Sequence, residues 1–236
     1  MAIAKVLRPM PIKPDVCVPE EALRRHFNPK EEIPFGVTVN HVHAAMKGFT
    51  DFLGFIDTQL RSREMARFEE MLMPANFSSI VSEFMSATIP KYCKMVVKNT
   101  YHNGHPDMLP TGKYMQNAAQ HAGMDGIEVK ASRYLKGWQG HNVEDVWLMI
   151  FIFASGRPSD ASKGIKPIRF RFLAVYGAML RKADWKFAGR NAESRRTITA
   201  SVTDTGYAKM VDNWIYRAPT LFTKAEGKLV SRDGDE

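Results

Sequence analysis

Asp107, Glu128 and Lys130 are spaced so that a fold could bring two carboxylates and an ammonium to one point. Glu128 and Lys130 lie in Gly126-Ile127-Glu128-Val129-Lys130-Ala131-Ser132, where apolar Ile127, Val129 and Ala131 alternate with Glu128, Lys130 and Ser132. In a strand successive side chains point to opposite faces, so one face is apolar and the other carries the carboxylate beside the ammonium. Asp107 stands upstream in Gly104-His105-Pro106-Asp107-Met108-Leu109-Pro110, separated from Glu128 by twenty residues. Carboxylate oxygens are the natural ligands of a hard divalent cation, and an ammonium on the same face can orient or deprotonate a water and stabilise developing negative charge. Hydrolysis of a phosphodiester has these needs: an in-line water, neutralised phosphoryl oxygens and help for the leaving oxygen.

A Pro-Asp, a gap and then Glu-x-Lys on a short apolar strand resembles the signature of the PD-(D/E)XK nucleases, the restriction-endonuclease-like superfamily, over roughly residues 76 to 154. The resemblance implies a Mg²⁺ site, with Mn²⁺ as a substitute, held by Asp107, Glu128 and the main-chain carbonyl of Val129. It implies Lys130 as the residue acting on water and Gln139, after the motif strand, as a phosphate or water contact. His141 and Asn142 are further candidates in the same loop. Glu83, on the helix before the sheet, occupies the place where many members carry an extra carboxylate. Asp125 is a rival to Asp107, but only three residues precede Glu128 there, and reaching one ion would take a tight turn at Gly126. The implied activity is a type II-like restriction endonuclease cutting double-stranded DNA to leave a 5′-phosphate and a 3′-hydroxyl, acting as a homodimer because one site per chain must cut two strands. A repair, phage-related or junction nuclease of the same fold is the near alternative. From another class comes a DNA-binding protein without catalysis, in which Glu128 and Lys130 form a structural pair.

Bulk properties narrow the rest. The chain of 236 residues is 44% hydrophobic and 25% charged, as ordinary globular proteins are, and can bury a full core without staples. Its net charge of +8 leans toward a polyanionic partner. The longest apolar run, Val146 to Ala154, is far too short to span a membrane, and no signal peptide is recognisable, so a cytoplasmic location is expected. Cys17 and Cys93 are too few for a disulfide framework. No Gly-rich phosphate loop or dinucleotide fingerprint is present. His102, His105 and Cys93 lack the paired spacing of a zinc site.

The elements that must position the site follow from periodicity. Residues 1–37 hold six of the thirteen prolines and read as an extended arm, with a short helix over Glu20 to His26. Residues 38–223 read as one domain. Within it, residues 38–89 form a helical layer: a helix from Val39 to Leu60 capped by Thr38 or Asn40, a second over Met65 to Leu72 ended by Pro74, and a third capped by Asn76. Residues 90–155 form the catalytic sheet, whose centre is the unbroken apolar run Trp147 to Phe153, expected to be covered on both faces. The fold class is α/β (α+β), a central mixed sheet flanked by helices.

Residues 163–217 carry twelve Lys or Arg against four acids and read as a basic DNA-binding elaboration. Ile168 to Leu180 and Trp185 to Ala188 suit a hairpin, Arg196 to Val202 a further strand, and Thr203 or Asp204 the cap of a closing helix to about Trp214. The candidate DNA contacts are Arg133, Lys136, Arg169, Arg171, Arg181, Lys182, Arg195 and Arg196. Residues 224–236 read as a polar disordered tail.

Overall fold

A computed structural model describes residues 14–140, 142–187 and 200–219. His141, Arg195, Arg196, the first part of the arm and the whole tail lie outside the described residues.

Helix α1 (Val39–Arg61) forms where the apolar steps of three and four predict it, and Val42, Ala45, Met46, Phe49 and Leu53 are fully buried along its stripe. Thr38 is the N-cap, with its N–H donated to Nδ1 of His41 at 3.1 Å. Helix α2 (Phe68–Met71) is a single turn. Pro74 does not end it but opens α3 (Pro74–Tyr92) at the first helical position, where a missing N–H costs nothing and the fixed φ is already helical; Asn76 is therefore inside α3 and caps nothing.

The main sheet has six strands in the order β1 (Val96–Lys98), β2 (Met108–Pro110), β3 (Ile127–Ser132), β5 (Val146–Ala154), β6 (Arg171–Leu180) and β9 (Trp214–Arg217). All pairs are antiparallel except β3 with β5, so the sheet is mixed as expected. Strand β5 is buried at all nine positions. Trp147, Met149, Phe151 and Phe153 face the core shared with α1 and α3. Leu148, Ile150 and Ile152 face a second core, shared with α4 (Asp204–Asp212) and a smaller sheet. Each such side chain contributes on the order of 1.5–3 kcal/mol by leaving water, which makes this strand the spine of the domain. The phenylalanines are core: Phe49 lies 5.2 Å from Phe84 and 5.2 Å from Phe170 between ring centroids.

The basic region is built differently from expectation. Strand β6 pairs with β5 and β9 and makes no hairpin with β7 (Trp185–Phe187). Instead β7 pairs with β8 (Ala200–Val202), which pairs with β4 (Gln139–Gly140), giving a separate three-stranded sheet. Trp138 and Trp185 fill the space beneath it. Thr203 caps α4 by accepting from the Gly206 N–H, but the helix ends before Trp214, which begins a strand. The described part of the arm has 3₁₀ turns at Pro14–Cys17 and Arg24–His26 in place of a helix over Glu20 to His26. It lies on the domain, with the Glu20 N–H donated to Phe170 and the Asn28 N–H to Ile215.

Gly177 shows how tightly β5 and β6 fit, since a Cβ there would fall inside the buried ring of Trp147. Gly177→Ala is expected to lower stability by about 1–3 kcal/mol through overpacking, read as a lower urea midpoint; an unchanged midpoint would show that the ring can move aside.

Candidate functional site

The site begins where β2 runs out. β2 pairs with β3 at Met108 and Ile127 alone, and beyond that point the edge of β3 needs another acceptor. Asp107 supplies it, its Oδ2 accepting the Val129 N–H at 2.8 Å. That bond carries the Asp107 carboxyl onto the motif strand, beside Glu128. Gly126 is required at the approach because a Cβ there would meet the Met108 carbonyl. Ile127 and Val129 are buried in the helix-side core, which leaves Glu128 and Lys130 on the opposite face, as the alternation predicts.

Lys130 Nζ lies 2.5 Å from Glu128 Oε1. On its other oxygen Glu128 meets His105, with Nδ1 at 3.0 Å from Oε2, and the Nε2 of His105 lies 3.0 Å from Oε2 of Glu144. The loop that delivers His105 is pinned by the buried Asn99, whose amide donates to the carbonyls of Pro106 and Ala119 and whose oxygen accepts from Tyr101 and Ala119. The result is a row of alternating charge, Glu144, His105, Glu128 and Lys130, with Asp107 beside its third member.

Burial and charge set the protonation of the row. Burial alone would raise Glu128, which is only 6% exposed, but His105 and Lys130 hold it down to about 2. Asp107 is pushed up to about 7 by burial and by the negative charge of Glu128. Burial disfavours the charged form of His105, yet Glu128 and Glu144 outweigh it and raise the imidazole to about 10. Lys130 is also raised against its burial, by Glu128 and Asp107. Lys130 therefore stands as an ammonium, suited to orienting water and stabilising negative charge rather than to removing a proton.

The donor set suits a hard cation. Asp107 and Glu128 offer carboxylate oxygens, and in an extended strand the C=O of a residue leaves the same edge as its N–H, so the Val129 carbonyl faces the side from which Asp107 approaches. Among the described residues no three His, Cys, Asp or Glu side chains form a ready-made metal cage. Mg²⁺ does not need one, since it keeps several waters and uses one or two carboxylates.

Other expected residues fall elsewhere. Asp125 is paired with Lys113 at 2.7 Å and accepts from the Tyr114 hydroxyl, so it is Asp107 that reaches β3. Glu83 is exposed and holds Lys98 at 2.6 Å on the helix side of the sheet, away from the face of Glu128. Gln139 is exposed on β4, opposite Ser201, and Asn142 is exposed in the loop that follows; that loop's contribution to the row is Glu144. Cys93 is buried near the Gly36 carbonyl and His105 is taken up by carboxylates, so no zinc site joins them with His102.

Several candidate DNA contacts have structural duties instead. Arg133 is buried, lies over the rings of Phe77 and Phe153, and donates to the carbonyls of Ser155 and Gly156. Arg169 donates to the carbonyls of Val18 and Pro19, and Arg171 reaches Glu20, so both hold the arm. Lys136 lies over the ring of Tyr207. Arg181 and Lys182 remain exposed, and they flank the site through Asp145: Arg181 lies 3.8 Å from its carboxylate and Lys182 donates its N–H to it at 2.8 Å.

His105 and Glu144 were not among the sequence candidates for this chemistry. His105 was legible in principle, two residues before Asp107 in the same turn. Glu144 gave no signal beyond being an acid just before a buried strand.

A carboxyl whose folded pKa lies above its ordinary value of 3.8 binds more protons in the fold, so its contribution to stability falls as pH rises toward about 7. Glu128, held low, has already given its full contribution above its ordinary value of 4.5 and stays constant in that window. Asp107→Asn is thus expected to gain in melting temperature on the parent chain between about pH 5.5 and about pH 8. A difference that does not vary with pH would contradict a raised Asp107 carboxyl. No family model, no curated protein and no solved structure matches the chain, so the reading of the site rests on its residues.

Proposed function

We propose that the chain is a Mg²⁺-dependent endonuclease of the PD-(D/E)XK kind that hydrolyses phosphodiester bonds in double-stranded DNA, most simply as a type II-like restriction enzyme. The observation that carries this reading is the hydrogen bond from the Val129 N–H to Asp107, which joins the Pro-Asp turn to the Glu-x-Lys strand along the edge of β3 that β2 leaves unpaired. Asp107, Glu128 and the Val129 carbonyl are the ligands the cation would take. When bound, Mg²⁺ neutralises phosphoryl charge and activates a water. Lys130, held as an ammonium, orients that water and faces the oxygens on which charge accumulates. The water oxygen bonds to phosphorus as the bond to the 3′-oxygen breaks, and the proton lost by water ends on the leaving oxygen. Arg181 and Lys182, exposed beside Asp145, supply cations for the flanking backbone. A homodimer in the cytoplasm completes the proposal, and among the described residues no helix is long and apolar enough to cross a membrane.

A second reading is favoured by one observation. Both carboxylate oxygens of Glu128 already meet cations of the protein itself, Lys130 on one side and His105 on the other. In that reading the row is a structural device and the protein binds nucleic acid without cutting it.

Plasmid incubated with the protein and Mg²⁺ separates the two. Nicked or linear product that EDTA abolishes, and that Lys130→Ala slows by at least about 100-fold, is the expected result. Binding with no cleavage would favour the second reading, and cleavage indifferent to EDTA would overturn the mechanism.

A further inference from the structure

Glu144 and His105 occupy the end of the charged row that the proposed chemistry leaves unused. Both ring nitrogens of His105 face carboxylates at 3.0 Å, Nδ1 to Glu128 and Nε2 to Glu144. The ring therefore has a carboxylate oxygen 3.0 Å from each nitrogen, close contacts made without hydrogen-bond alignment at Nε2 or at Oε2 of Glu128. The side chain is 17% exposed and that of Glu144 23%, so the pair sits at the mouth of the site rather than in the core. Its backbone is fixed independently: the His105 N–H donates to the Gln120 carbonyl and its own carbonyl accepts from Ala122. Glu144 is fixed on its far side, where its carbonyl accepts the Trp185 indole N–H at 2.8 Å.

We propose that Glu144 and His105 are a positioning pair, in which Glu144 orients the imidazole and the imidazole fixes the Glu128 carboxylate in the rotamer that presents it, with Asp107, to a divalent cation. The inference rests on the nuclease reading of the site and deepens it by naming how the cation ligand is held. Without His105, the side-chain cation left on Glu128 among the described residues is Lys130, two residues along the same strand, and the carboxylate is expected to turn toward that ammonium. Outer partners of metal ligands commonly change cation affinity by about 10–100-fold when removed. Neither residue touches the reacting phosphate in this account, so the effect belongs to cation saturation and not to the rate at saturating cation.

The route of action makes the pair separable from a general field effect. Glu144 acts on Glu128 only through the ring between them, whereas its bare charge would be felt across the site with or without the ring. The test is a double-mutant cycle of Glu144→Gln and His105→Gln on the full chain. Plasmid cleavage is measured against Mg²⁺ concentration, and Mn²⁺ binding to the protein alone is followed by electron paramagnetic resonance. In the His105 background, Glu144→Gln is expected to raise the half-saturating cation concentration by about tenfold in both measurements, with the saturated rate changed by less than about threefold. In the His105→Gln background the same change is expected to shift it by less than about threefold. Unchanged far-UV circular dichroism accompanies both, and partly exposed Glu144 carries the test if His105→Gln lowers stability.

An equal shift in both backgrounds overturns the pairing, as does no shift in either. A fall in saturated rate without a shift in half-saturation also overturns it. Wild-type protein that neither binds Mn²⁺ nor cuts would overturn the nuclease reading together with this one, whereas wild-type cutting with an unshifted Glu144→Gln removes the positioning pair alone.

Discussion

The bond from the Val129 N–H to the Asp107 carboxylate is the constraint on which the rest of the site depends. It solves a backbone problem, because β2 ends after a single paired position and β3 would otherwise present an unsatisfied N–H beside a buried segment. Solving it with a side chain has a chemical consequence. A second carboxyl is drawn against Glu128, and two acids in a water-poor place cannot both ionise without cations close by. Lys130 and His105 are those cations, and Glu144 in turn balances His105. The charged row thus grows outward from one hydrogen bond.

The domain holds this row at the border between two cores. Strand β5 buries alternate residues on the two faces of the sheet and pairs in parallel with β3 over six positions, which fixes the face of Glu128 and Lys130. On the helix side a second buried charge cluster ties the layers together. Arg67, 1% exposed, lies 3.1 Å from Glu69 and 2.6 Å from Glu70 and donates to the carbonyls of Val16 and Ile168. Removing one partner from such a cluster leaves an uncompensated buried charge, which typically costs about 3–5 kcal/mol.

Much of this was legible in the sequence, and for identifiable reasons. The stripe from Val39, the alternation at Ile127 to Ser132 and the apolar run at Trp147 are long or regular enough to fix an element's type and buried face. Asp107 and Glu128 are paired in the sequence through the resemblance of Pro-Asp and Glu-x-Lys to a known signature, with Asp125 as the rival that a tight turn at Gly126 disfavours. Residues whose roles depend on distant partners were not legible. Nothing local distinguishes Arg169 and Arg171, which grip the arm, from arginines free to hold phosphate, and Arg133 looks like a loop residue until Phe77 and Phe153 close over it. The expected hairpin through Arg181 to Asp184 failed because β7 finds its partner in β8 and β6 is already occupied by β5 and β9. Glu144 carries no local signal because its contact exists only once the fold places His105 between it and Glu128.

Asp107, Glu128 and the Val129 carbonyl are proposed to enclose a place for a hard divalent cation. Anomalous diffraction from crystals grown with Mn²⁺ tests it most directly. A peak at inner-sphere distance from both carboxylates and the carbonyl is the expected result. A crystal with no peak there, in which Glu128 still lies against His105 and Lys130, would contradict it.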